Sequence, residues 1–260
     1  MLYQSSALLI AVVLLAALFG CGEIGYAIAY RRGLAADATR AQFGNIQGAV
    51  LGLVALLLAF TFSMAVQRFD VRKQLVGDEA NAIGTLQLRA QLLPEPQKST
   101  VAALLRRYVE ARIAYANAGI DPLRLSVAGR ETEVTQNLLW AQAVSLAARD
   151  DKSYAASLFT QALNDVIDLP SKRQAAMLNH VPETVIWMLL LSAALSLAVV
   201  GYGFGLGQKR NNFSLGALSI LIALVIMLIL DFDRPRRGLI EVNEGAIIAL
   251  RAGLAPPPAK

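Results

Sequence analysis

Residues 49–66 read AVLGLVALLLAFTFSMAV, eighteen positions without a charge. A helix crosses the hydrocarbon core of a bilayer in about 20 residues, with a range of roughly 17–25, so this run predicts a spanning helix. The segment C-terminal to it decides the fold. No proline interrupts the chain before Pro94 and Pro96, and Phe69, Val76, Ile83 and Ala90 recur every seven residues. That spacing keeps one helix face apolar and predicts an unbroken helix from Ala49 to Leu93. At about 1.5 Å per residue the rod is roughly 65–70 Å long and extends well beyond a bilayer.

Working outward, Ala7–Ala29, Val185–Leu206 and Phe213–Leu230 are three more apolar blocks of spanning length, the first interrupted by Glu23. Only Gly207–Asn212 separates the last two, which predicts an antiparallel hairpin. The chain is 56% hydrophobic and 17% charged, whereas soluble domains carry about 25% charged residues. The expected fold is an all-α membrane protein: four transmembrane helices, with a helical extramembrane domain between spans two and three. Residues 7–66 hold the first two spans, 67–182 the domain, 183–231 the other two spans, and 232–260 a C-terminal tail. Its Ala255–Ala259 stretch is expected to be disordered. Leu18-Phe19-Gly20-Cys21 loosely resembles a lipoprotein cleavage box. Met1–Ser6 has no basic residue, Phe19 is bulky, and the apolar run continues past Cys21, so the block reads as an uncleaved helix with a buried thiol.

Within the domain a second helix is expected from about Ser99 to Ala118, with Val101, Leu104, Leu105, Tyr108, Ala111 and Tyr115 on one face. Gly119 and Asp121-Pro122 suit a loop, and Glu131–Arg149 a third helix. Leu158, Phe159, Ala162, Leu163, Val166 and Ile167 mark a fourth. Pro170 is expected to bend or break the chain, and a short helix leads to Pro182 as the first residue of the third span.

Chemistry is limited by what is present. The single cysteine, Cys21, and single histidine, His180, exclude an internal disulfide, a thiolate metal site and a histidine cluster. There is no phosphate loop, nucleotide fingerprint or nucleophile elbow, so no enzyme, cofactor or metal is expected. Lys and Arg outnumber Asp and Glu by 24 to 19. The basic residues flank the apolar blocks, at Arg31–Arg32, Arg68, Arg72–Lys73, Lys209–Arg210 and Arg234, Arg236 and Arg237. That placement fits anionic lipid headgroups and not nucleic acid.

Four groups carry candidate function. Gly44, Gly48 and Gly52, continued by Ala55, Ala59 and Ser63, form a small face suited to close helix packing. On the other side Val50, Leu53, Leu57, Phe60 and Met64 form a large apolar stripe. It either faces lipid or core, or lines a pore in which Leu57, Phe60 and Met64 gate by dewetting. Glu23 is an acid inside a span, either functional, or held by an arginine, or snorkelling to the nearby interface at Tyr30–Arg32. Asp78 and Glu79 are either a solvated face or, around a shared axis, an acidic ring that concentrates cations. Asp231, Asp233, Arg234, Arg236 and Arg237 read as an anchor for the fourth span.

Several stretches carry a resemblance. Gly48-Ala49-Val50-Leu51-Gly52, Ala59-Phe60-Thr61-Phe62-Ser63-Met64-Ala65, Asp78-Glu79-Ala80-Asn81-Ala82-Ile83-Gly84-Thr85, Leu92-Leu93-Pro94-Glu95-Pro96 and Asp231-Phe232-Asp233-Arg234-Pro235-Arg236-Arg237-Gly238-Leu239-Ile240 resemble the bestrophin-like family of bacterial membrane proteins. The resemblance implies a multi-pass protein of the bacterial inner membrane. It further implies a likeness to bestrophins, pentameric anion channels whose pore is lined by the second span. The acidic calcium clasp and N-terminal basic-aromatic motif of animal bestrophins are absent, so calcium gating and anion selectivity do not carry over. The leading expectation is an oligomeric ion channel passing inorganic ions, selectivity open. The alternative is a membrane scaffold or sensor whose helical domain binds a cytosolic partner. Eight basic residues flank the spans on the domain's side against five on the other, which predicts a cytoplasmic domain.

Overall fold

The computed structural model describes residues 7–254 except Asp151, Arg237 and Leu239. Met1–Ser6 and the expected Ala255–Ala259 tail lie outside the described residues. Among the described residues there are eight helices and no strand: α1 (Ala7–Tyr30), α2 (Asp37–Ala90), α3 (Gln97–Asn117), α4 (Pro122–Arg149), α5 (Tyr154–Leu178), α6 (Glu183–Leu206), α7 (Asn212–Phe232) and α8 (Gly245–Gly253). Four apolar stretches, on α1, α2, α6 and α7, are long and apolar enough to cross a membrane. Helices suit that medium because each satisfies its own backbone hydrogen bonds. The chain divides into two compact units, the described parts of Met1–Arg68 with His180–Ile240, and of Phe69–Asn179 with Glu241–Lys260.

In the first unit α1 and α6 run side by side in the same direction. Near their C-terminal ends Ala35 N–H donates to the Leu206 carbonyl and the Gln208 amide to the Tyr30 carbonyl. Glycines allow the approach. A methyl group on Gly201 would sit 1.8 Å from the Gly22 carbonyl oxygen, and one on Gly25 2.0 Å from that of Ala198. Lipid tails do not drive helices together as water does, so such close packing is what holds this pair. α7 folds back on α6 as the expected hairpin, its end tied to the start of α6 where Val181 N–H donates to the Asp233 carboxylate at 3.0 Å. The apolar part of α2 adds Val54, Leu58 and Ala65 to a core with Leu189, Leu197, Ile226 and Ile229. Cys21 is half-buried there, not fully buried as expected.

The second unit packs residues 69–90 of α2 with α3, α4, α5 and α8 around Ile83, Leu86, Leu105, Tyr108, Leu139, Phe159 and Leu163. Several boundaries differ from expectation, each for a local reason. α2 starts at Asp37, before its apolar run, which makes it about 80 Å long. It ends at Ala90, and Gln91–Leu93 tighten into turns bonded three residues back. α4 begins at Pro122 and not near Glu131. The Asp121 carboxylate accepts the N–H groups of Leu123 and Arg124, so Asp121-Pro122 is a helix start and not merely loop.

α5 continues as one helix through Pro170, so the expected break and separate short helix are not formed. The carbonyl of Val166 loses its usual partner, because proline at 170 has no N–H. The buried Tyr108 hydroxyl donates to that carbonyl at 3.3 Å. Pro182 caps α6 instead of forming its first residue. The 232–260 tail is also revised: residues 241–254 join the second unit, where Ile247 of α8 and Leu254, which caps it, lie on the core.

Candidate functional site

Successive residues of an α-helix turn by about 100°, so the membrane-spanning part of α2 can be divided into faces. Val54, Leu58, Thr61 and Ala65 are buried against the core of their unit. Gly44, Gly48 and Gly52, with Ala55, Ala59 and Ser63, form a second face that is exposed throughout. A methyl group on any of the three glycines would meet nothing within 4 Å. The close packing expected of this face is therefore not made within the chain. The glycines that do bring backbones together are those of α1 and α6.

The large apolar stripe is divided. Phe60 is 63% exposed, and Leu53 and Leu56 beside it are also exposed. Leu57 and Met64 are half-buried along the edge of the core. Phe60, Leu56 and Gly52 lie on the side of the helix away from Val54 and Leu58. The helical period placed Leu57, Phe60 and Met64 on one face. The core reaches far enough around α2 to take the flanks of Leu57 and Met64 but not Phe60.

Glu23 is held by an arginine. Its carboxylate accepts from the Arg210 guanidinium at 2.7 Å, and the same guanidinium lies 5.9 Å from the centre of the Tyr26 ring. Arg210 comes from the short α6–α7 connection. Lys209-Arg210 is legible in the sequence as a basic pair, but its reach to α1 depends on the parallel packing of α1 and α6.

Asp78 and Glu79 are neighbours in sequence that point in different directions. Asp78 is exposed, whereas Glu79 is fully buried. The Glu79 carboxylate meets Arg112 at 2.5 Å and Arg173 at 2.5 Å, and Arg173 also pairs with Glu244. Two arginines and two glutamates thus neutralise one another inside the second unit. An acidic ring containing Glu79 is excluded, because the side chain faces α3 and α5. Burial works to lower the Arg112 pKa, but the charge and hydrogen bonds of Glu79 outweigh it and hold it above the ordinary value. Burial, and then the Glu79 charge, raise the pKa of neighbouring Tyr108.

The charged motif after α7 does more than anchor a helix end. Asp231 and Asp233 are buried. The Asp231 carboxylate accepts the N–H of Ile240 at 3.0 Å, while His180 Nδ1 donates to the Asp233 carbonyl at 2.8 Å. The motif folds the chain back on itself and fastens the start of α6. Arg234 is buried with it; Arg237 lies outside the described residues. The sequence alone shows His180 only as an isolated histidine, since its partner is distant along the chain.

A family model described as a Bestrophin-like domain matches residues 9–247. The chain belongs to the bestrophin-like family. Solved structures agree on the fold of this bestrophin-like chain. A crystal structure of a bacterial bestrophin homologue from Klebsiella pneumoniae is 14% identical, with a TM-score of 0.67 over 95% of this chain and 96% of that one. A single-site mutant of the Klebsiella pneumoniae homologue is 16% identical, with a TM-score of 0.66 over 96% and 97%. No curated protein matches the sequence. The stretches at Gly48–Gly52, Asp78–Thr85 and Asp231–Pro235 all fall inside the matched region.

Proposed function

We propose that this protein is a homo-oligomeric ion channel whose pore is lined by α2, with Phe60 at an apolar constriction that Leu57 and Met64 flank. The observation that carries this reading is Phe60 itself, a large aromatic 63% exposed on the side of a spanning helix away from its own core. Around a shared axis, such side chains form an apolar ring that restrains ions by making the water column unstable. Leu57 and Met64, half-buried behind it, hold the helix face in position. The exposed small face at Gly44, Gly48 and Gly52 suits contact with a second copy. The likeness to bestrophins supports a pentamer in the bacterial inner membrane, with the second unit in the cytoplasm.

One observation favours the alternative of a scaffold or sensor. On α4, Leu123, Val127, Val134, Leu138 and Val144 are exposed on the side away from the core, and an apolar line of this kind suits a partner protein. Purified protein in a planar bilayer separates the readings. Unitary currents support the channel, and a silent bilayer holding folded oligomer supports the scaffold.

A further inference from the structure

The spanning unit gathers basic residues at one end from segments far apart in sequence. Because α1 and α6 run in parallel, the turn after α1 and the α6–α7 connection emerge side by side. The Gln208 amide donates to the Tyr30 carbonyl at 3.0 Å, and Lys209 and Arg31 directly follow the two residues of this bond. Arg32 donates from Nη1 to the Tyr202 hydroxyl at 3.0 Å and lies 5.9 Å from the centre of the Tyr202 ring. That ring packs in turn on Phe43 of α2, with 5.2 Å between centres. A guanidinium held at one edge by an aromatic residue is pre-oriented, and its other N–H groups can serve a ligand.

The acids at this end are already matched. Glu23 meets Arg210 at 2.7 Å, and Asp37 pairs with Arg40. Arg31, Arg32 and Lys209 are exposed and make no ion pair among the described residues. Other basic residues that flank the spans are spent inside the protein. Arg72 donates to the carbonyls of Ala176 and Asn179, and Arg234 is buried. Exposed apolar side chains share the end that carries the three cations: Tyr30 closes α1, Leu34 follows it, and Phe213 lies in the first turn of α7. Phe213 is 86% exposed. Apolar groups beside uncompensated cations at the ends of spanning helices match a partner that is apolar on one side and anionic on the other.

We infer that Arg31, Arg32 and Lys209 form a binding site for the phosphate headgroup of an anionic phospholipid, with Tyr30, Leu34 and Phe213 against its apolar part. The site is independent of whether α2 lines a pore. The arginines offer forked donors to phosphate oxygens, and Lys209 supplies a point charge. A free anion would use the cations but not the apolar border.

The test is binding of a fluorescent phosphatidylglycerol to the full-length protein in non-ionic detergent, read by anisotropy and competed with unlabelled compounds. Unlabelled phosphatidylglycerol should displace the probe, and phosphatidylcholine, which has no net charge, should compete far more weakly. Each cation near an anionic lipid surface strengthens binding about fivefold. Lys209→Gln should therefore weaken binding about fivefold, and Arg31→Gln, Arg32→Gln and Lys209→Gln together about 100-fold. Lys209→Arg should retain the wild-type affinity. Arg149→Gln, at an exposed base ending α4, should leave it unchanged. Unaltered affinity in the folded triple variant, or equal competition by phosphatidylcholine, overturns the inference. Displacement by inorganic phosphate as effective as that by phosphatidylglycerol overturns the lipid as the ligand.

Discussion

The carboxylate of Glu79 and the guanidinium of Arg112 form a two-point pair, with 2.5 Å between Oε1 and Nε and 3.3 Å between Oε2 and Nη2, shielded from solvent. Arg173 shares the same carboxylate. Removing Glu79 therefore leaves two buried guanidinium groups with less than their share of negative charge. Breaking a buried pair by deleting one partner costs about 3–5 kcal/mol. Glu79→Ala should lower the thermal unfolding midpoint in detergent markedly, and Asp78→Ala should not. An unchanged midpoint for Glu79→Ala contradicts the network.

Tyr108 supplies the hydrogen bond that Pro170 cannot. Tyr108→Phe leaves the buried Val166 carbonyl without that donor, at a cost of about 1–3 kcal/mol. Pro170→Ala restores a backbone N–H in the right place, so the double variant should recover much of the loss. Purely additive effects in the double-mutant cycle would refute the link. The raised pKa of Tyr108 also sets a pH dependence. Its contribution is intact below the unfolded tyrosine value of about 10 and lost as pH rises beyond it. Tyr108→Phe should flatten the alkaline limb of a stability–pH curve.

Gly201 and Gly48 should respond in opposite ways. A methyl at Gly201 meets the Gly22 backbone, and overpacking of this kind costs about 1–3 kcal/mol. Gly201→Ala should destabilise the protomer. Gly48→Leu enters open space within the chain, so the protomer should fold while the oligomer dissociates. Native mass spectrometry decides. A monomeric wild type defeats the oligomer, and an unchanged oligomer in Gly48→Leu moves its interface to another face.

The fold is legible where one medium dictates one pattern. Four apolar runs and the seven-residue recurrence from Phe69 to Ala90 are direct consequences of bilayer thickness and helical period. The features that escape depend on partners distant in sequence. Nothing local to Pro170 reveals that Tyr108 will complete the helix, and nothing local to Glu79 reveals Arg112 and Arg173. Of the candidate site, helical spacing places Phe60 on a large apolar face. It cannot show how far around α2 the core reaches, which separates Phe60 from Leu57 and Met64. The same limit makes Glu79 look equivalent to Asp78.

Membrane orientation is testable at Ile120, which is 48% exposed in the α3–α4 connection, whereas nearby Ala118 is buried. With Cys21→Ser as background, Ile120→Cys should resist an impermeant thiol reagent in intact cells and react after lysis. Labelling of intact cells places the second unit outside the cytoplasm.

The most direct test of the pore is ion flux through Phe60→Ser. The substitution removes the largest side chain on the outward face and adds a hydroxyl, so it should wet the constriction. In liposomes loaded with matched amounts of folded oligomer, Phe60→Ser should raise the resting ion leak well above wild type. Leu53→Ser, about two turns away on the same exposed face, removes a smaller side chain and should change it less. Flux equal to wild type in a well-folded Phe60→Ser oligomer would contradict a pore lined at Phe60.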